Sequence, residues 1–399
     1  MSNDFERRRF DLDSVSLREN EIGRDASRCG RHANASFTLL LISLVALLGA
    51  IAAPPPASAQ TPDSRQGSST LPLRAQDATS GPRPIFAFHS GFWMNLHHFL
   101  YEQARLAEHV QTSQGGGVAK SAAADTNSSN EAPAAWQSAL LYYRKNMAHR
   151  DLLFDQGMVL INNVLGDLET CPDLSGRSMP SCASGLQPNL IAALEGAAPI
   201  YRARWWPDHD RANRDWIDGD APLVRHIGLP LAQDLAAVYE KPWQREPIRV
   251  DVVIYAGPFG AYTSLDPTHI TVASGDPRNE GLAGFEILFH EASHALAVPV
   301  QDAIAEDCRL RDIPIPRDLW HALLFYTTGE MVRRAAAEGK LQLPGAETKA
   351  ASYTPYAYRN NLYSRGWEDY LRLLEAYWQP YLEGRTDFEH AIRAVVAGL

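Results

Sequence analysis

The chain has 399 residues, with 47 acidic side chains against 37 basic ones and a net charge of −10. That balance gives no electrostatic footprint for a polyanion and argues against nucleic acid as a partner. Hydrophobic residues make up 45% of the sequence, enough for one large domain or two lobes with a cleft.

Residues 1–59 read as a targeting signal. Phe37 to Ala53 is an apolar stretch preceded by Arg24, Arg28 and Arg31 and followed by Ala57-Ser58-Ala59. That order of charge, apolar run and small residues is the pattern of a secretory signal peptide, with the mature chain starting at Gln60. The polar stretch ahead of the apolar run is long, so a membrane is a partner only if this signal stays uncleaved. Arg7-Arg8-Arg9-Phe10 stands too far from the apolar run to act as a twin-arginine signal. Export puts the chain in the periplasm or outside the cell, where disulfides persist. Cys171 and Cys182 bracket a turn-rich loop and are expected to pair, leaving Cys308 as a buried thiol.

Residues 60–84 are rich in Ser, Pro, Gln, Thr and Gly and read as a disordered linker. Folded structure is expected over 85–399, opening with an extended segment and a helix that carries His97 and His98. A flexible insertion over 111–135 follows. From Trp136 to Tyr239 the apolar spacing is mostly helical, and Trp205 to Asp210 reads as a helix start. The period then changes. Ile248 to Tyr255 and Thr268 to Ser274 alternate, with a Gly/Pro-containing loop between them, which predicts an antiparallel pair. The fold class expected is therefore α+β, predominantly helical, with a small antiparallel sheet.

The chemistry concentrates in Gly284 to Leu296, an apolar helical run containing His290-Glu291-Ala292-Ser293-His294. Two histidines four apart lie on one face of a helix and can share one ion, and the spacing fits Zn2+. Glu291, one step round, is suited to polarise a water in the open position and move its proton. Pro299 breaks the chain after this run, and Asp302 to Arg309 is short and polar. A second apolar helix then spans Asp318 to Val332. Glu330 lies on its apolar face, where an ionised carboxylate is expensive without a cation, so Glu330 is the leading third metal ligand. His321, nine residues earlier and on the opposite face of a straight helix, competes for that role, as do Asp302 and Glu306. An aromatic-rich segment from Tyr353 to Tyr381 and a short helix from Phe388 complete the chain.

Over residues 248–334 this arrangement resembles the zincin metallopeptidases. A glutamate as third ligand would make it similar to the gluzincin branch. The resemblance implies an exported zinc-dependent hydrolase acting on a peptide or protein substrate, with Glu291 as general base and His290, His294 and Glu330 holding the metal. It also implies that an edge strand beside the active helix, expected near Ile270 to Ser274, pairs with an extended substrate. One of the C-terminal tyrosines would then stabilise the oxyanion. A different reading of the same residues is an exported, non-catalytic zinc-binding or structural protein.

Overall fold

A computed structural model describes residues 83–113, 133–341 and 353–399. The expected signal peptide, all but the last two residues of the linker, and most of the insertion fall outside the described residues. The first strand and helix are β1 (Phe86–His89) and α1 (Phe92–Ser113), and α2 (Ala134–Asn146), α3 (Gln156–Asp167), α4 (Pro188–Arg204) and α5 (Trp206–Val238) follow. Next come β2 (Ile248–Val253), β3 (Ala261–Leu265) and β4 (Thr268–Ala273), then α6 (Leu282–Ser293), α7 (Val298–Arg311) and α8 (Leu319–Ala337). Four short helices close the chain: α9 (Tyr356–Arg359), α10 (Glu368–Leu373), α11 (Gln379–Leu382) and α12 (Phe388–Ala397).

The fold is predominantly helical α+β, as the alternating periods predict. The sheet departs from expectation. It has four strands in the order β1-β2-β4-β3, and β2 runs parallel to both β1 and β4. The antiparallel partner of β4 is β3, which lies in the stretch read as a loop. Ala261 to Leu265 is only five residues long and sits between Gly260 and Asp266-Pro267, so turn residues mask its alternation. Consequently β4 is an inner strand and the edge beside α6 is β3, not Ile270 to Ser274.

Strand alternation sends side chains into two hydrophobic clusters. Ile248, Val250 and Val252 of β2 and Ile270 and Val272 of β4 point to α5–α8 and the C-terminal helices. Val253, Tyr262 and Ala273 point to the opposite cluster, built on α1–α4. Helix α5 runs unbroken for 33 residues through Pro222 and Pro230, longer than those prolines suggest. Pro299 likewise sits in the first turn of α7, where its missing N–H costs nothing, so the polar stretch Asp302 to Arg309 is helical.

Helix α6 is buried along its length, from Ala283 to Ser293. Close approach explains Gly284, because a Cβ there would lie 2.5 Å from the Asn279 carbonyl oxygen and 2.9 Å from Asp220 Oδ2. At the other end Ser293 Oγ donates to the Phe289 carbonyl at 2.7 Å. The chain then tightens into a 3₁₀ turn over His294–Leu296. This turn brings His294 round toward the start of α8.

Candidate metal centre

His290 comes from α6, His294 opens the 3₁₀ turn, and His321 lies in the first turn of α8. Their candidate ligand atoms all lie within 4.8 Å of one another, and the group could hold a metal ion. Nε2 of His290 and Nε2 of His321 are 3.3 Å apart. Two imidazole nitrogens on a tetrahedral ion at about 2.0–2.1 Å stand roughly 3.3 Å from each other, so this spacing suits a shared ion.

All three imidazoles are neutral donors at neutral pH, the form a metal requires. Burial pushes His290 well below its usual range, assisted by His294 and His321. Burial likewise depresses His294 to about 3 and His321 to about 4. Packing fixes the rings. Phe325 stacks on His290 with centroids 3.6 Å apart, Trp320 meets His294 edge-on at 5.6 Å, and Trp367 meets His321 at 5.8 Å. His290 Nδ1 is buried without a hydrogen-bond partner. The stacked Phe325 thus orients a ring that ligating histidines usually orient by a hydrogen bond.

Glu291 stands beside the group and not in it. Its Oε2 lies 3.9 Å from His294 Nε2 and accepts a 2.7 Å hydrogen bond from Thr263 Oγ1 on β3. Burial raises this carboxyl to about 7, with the Thr263 bond opposing the rise. A carboxyl that changes protonation near neutrality is matched to general-base work. Thr263 was not among the sequence candidates. Its only signal was a place in the alternation of a strand read as loop.

Glu330 is not where the burial argument put it. Its side chain accepts hydrogen bonds from Arg333 at 2.7 Å, from Arg334 at 2.9 Å and from Gln379 at 3.1 Å. Burial alone would raise its pKa, but these partners more than offset that and hold it below the usual carboxylate range. The cations that make its burial tolerable are arginines one turn along the same helix. His321 stands in the place assigned to Glu330, and the group is therefore three histidines, without the glutamate that a gluzincin pattern calls for. Asp302 and Glu306 are exposed on α7, and Glu306 pairs with Arg309. Neither belongs to the group.

Polar groups on the other face of the sheet bond mostly to one another, although His97 Nε2 is buried without a partner. Asp251 is bonded by His269 at 2.6 Å and by Arg249 at 2.6 Å, and Arg249 reaches Glu169 at 3.0 Å. His97 bonds Tyr143 at 2.7 Å and His98 bonds Tyr262 at 2.8 Å. His209, from the helix start at Trp205 to Asp210, bonds Tyr201 at 2.9 Å. The Cys171–Cys182 disulfide is formed and Cys308 is buried and free.

A cleft of about 390 Å³ opens beside His294. Its walls come from the α5–β2 connection, the ends of β3 and β4, and the turn after α6. No protein-family model, curated protein or solved structure matches this chain.

Proposed function

We propose that the protein is an exported zinc-dependent metallopeptidase in which His290, His294 and His321 hold the ion. The observation that carries this reading is the convergence of three neutral imidazoles within 4.8 Å, with the Glu291 carboxyl 3.9 Å from one of them. Three imidazoles with an open fourth position form the donor set of a catalytic zinc site. Export is supported by the apolar, Arg-flanked segment ending at Ala59 and by the disulfide.

When bound, zinc supplies Lewis acidity and acidifies a water to near pH 7. Glu291 accepts the proton of the attacking water and returns it to the leaving amine. Thr263 donates to that carboxyl, which favours its ionised form and holds it beside the histidines. Strand β3 is outermost on its side of the sheet, and its backbone would pair with an extended peptide beside α6. Phe325, Trp320 and Trp367 exclude water from the imidazoles and hold them in place.

The test is a peptide-library digest by purified protein before chelation, after chelation and after one equivalent of zinc is restored. Cleavage that is lost and then recovered supports the reading. Stoichiometric zinc without any cleavage would support a non-catalytic zinc protein instead.

A further inference from the structure

We infer that the cleft beside His294 binds a carboxylate of the substrate, with Lys241 as its cation; this rests on the metallopeptidase reading. Lys241 is half-buried and lines the same cleft as His294. Its ammonium donates one hydrogen bond, 2.7 Å long, to the carbonyl of Ala295, the residue after His294. An ammonium carries three N–H donors, so two remain. The cleft contains no Asp or Glu to receive them. Trp243 lines it too, with its ring packed on Phe86 and Phe289.

An ammonium with donors to spare in a cleft without a carboxylate offers an anionic ligand a charge-assisted hydrogen bond. The remaining wall is largely apolar, including Ile248, Leu265 and Leu296. Such a lining suits a carboxylate attached to an apolar residue better than a strongly hydrated dianion. Lys241 is anchored to the residue following His294, the one member of the histidine group that lines this cleft, so the carboxylate would bind on the His294 side of that group. It belongs either to the peptide's C-terminus or to an acidic side chain. The first makes the enzyme trim C-terminal ends; the second makes it cut beside acidic residues.

The inference is tested by calorimetry on zinc-loaded Glu291→Gln protein, which should bind peptide without consuming it. Three acetylated peptides of one sequence ending in Leu are compared: the free acid, its C-terminal amide, and an amide with Glu replacing Leu. The free acid should bind at least about 10-fold tighter than its amide, the size expected for a charge-assisted hydrogen bond. That advantage should vanish when Lys241→Met is added and persist with Lys241→Arg. Lys241→Gln, which keeps a donor for Ala295, serves if Lys241→Met loses metal. Recovery of tight binding by the Glu-containing amide, while the free acid shows no advantage, assigns the site to an acidic side chain. The inference is overturned if no peptide binds, if acid and both amides bind alike, or if the advantage survives in Lys241→Met. Hydrolysis by wild-type protein is read separately. Cleavage without carboxylate preference defeats this inference alone, and preference without cleavage defeats the peptidase reading alone.

Discussion

Replacing His321 by Ala separates the observed histidine group from the glutamate alternative. In the structure His321 Nε2 lies 3.3 Å from His290 Nε2, whereas the Glu330 carboxylate is taken up by Arg333 and Arg334. Binding energies of about 10–16 kcal/mol at four-ligand zinc sites correspond to roughly 3 kcal/mol per ligand, or about 100-fold or more in affinity. His321→Ala should therefore weaken zinc binding by about 100-fold or more, measured by competition with a chromophoric chelator. Glu330→Ala should leave zinc affinity near wild type. Its cost is to folding, about 1–3 kcal/mol, because the carboxylate partner of two arginines is removed. Chemical denaturation of the zinc-free proteins reads that cost apart from the metal. Metal loss in Glu330→Ala with wild-type affinity in His321→Ala would refute the assignment and restore the gluzincin pattern.

Two further predictions follow from buried carboxyls. Thr263→Val removes the hydrogen bond that opposes the burial-driven rise of Glu291 above its ordinary value to about 7. Since the ionised form is the base, the acidic limb of kcat/KM should move to higher pH, and a limb that stays put would show that Glu291 does not set it. Glu286, fully buried on α6, is raised from 4.5 to about 7 by burial, with Tyr353 and the Tyr356 N–H opposing the rise. An acid with a raised folded pKa holds more protons folded than unfolded between about pH 4.5 and 7. Its contribution to stability therefore falls as pH rises through that window. Glu286→Gln should gain on wild type by up to about 3 kcal/mol from pH 4.5 to 8 in denaturant titrations, and a pH-independent difference would contradict the buried-acid account.

Local patterns carried much of this architecture into view. The spacing of His290 and His294 on an apolar run gave the buried helix and two of the three imidazoles, and the Cys171–Cys182 loop gave the disulfide. What escaped was long-range or masked by turn residues. The parallel pairing of β2 and β4 depends on β3 reversing the chain between them, and five residues between Gly260 and Asp266-Pro267 look like a turn. His321 comes from a separate helix, so no spacing rule ties it to His294. Arg333 and Arg334, at i+3 and i+4 from Glu330, are the local partners that make a buried glutamate tolerable without metal.

Glu291 tests the central claim most directly. Its carboxyl is raised to about 7 by burial and stands beside, but outside, the histidine group that could hold a metal. Glu291→Gln should therefore retain about one zinc per chain while peptide turnover falls by orders of magnitude. Metal content by mass spectrometry and turnover on one cleaved library peptide, taken on the same preparation, give the answer. Unchanged hydrolysis in the zinc-loaded variant would contradict the account.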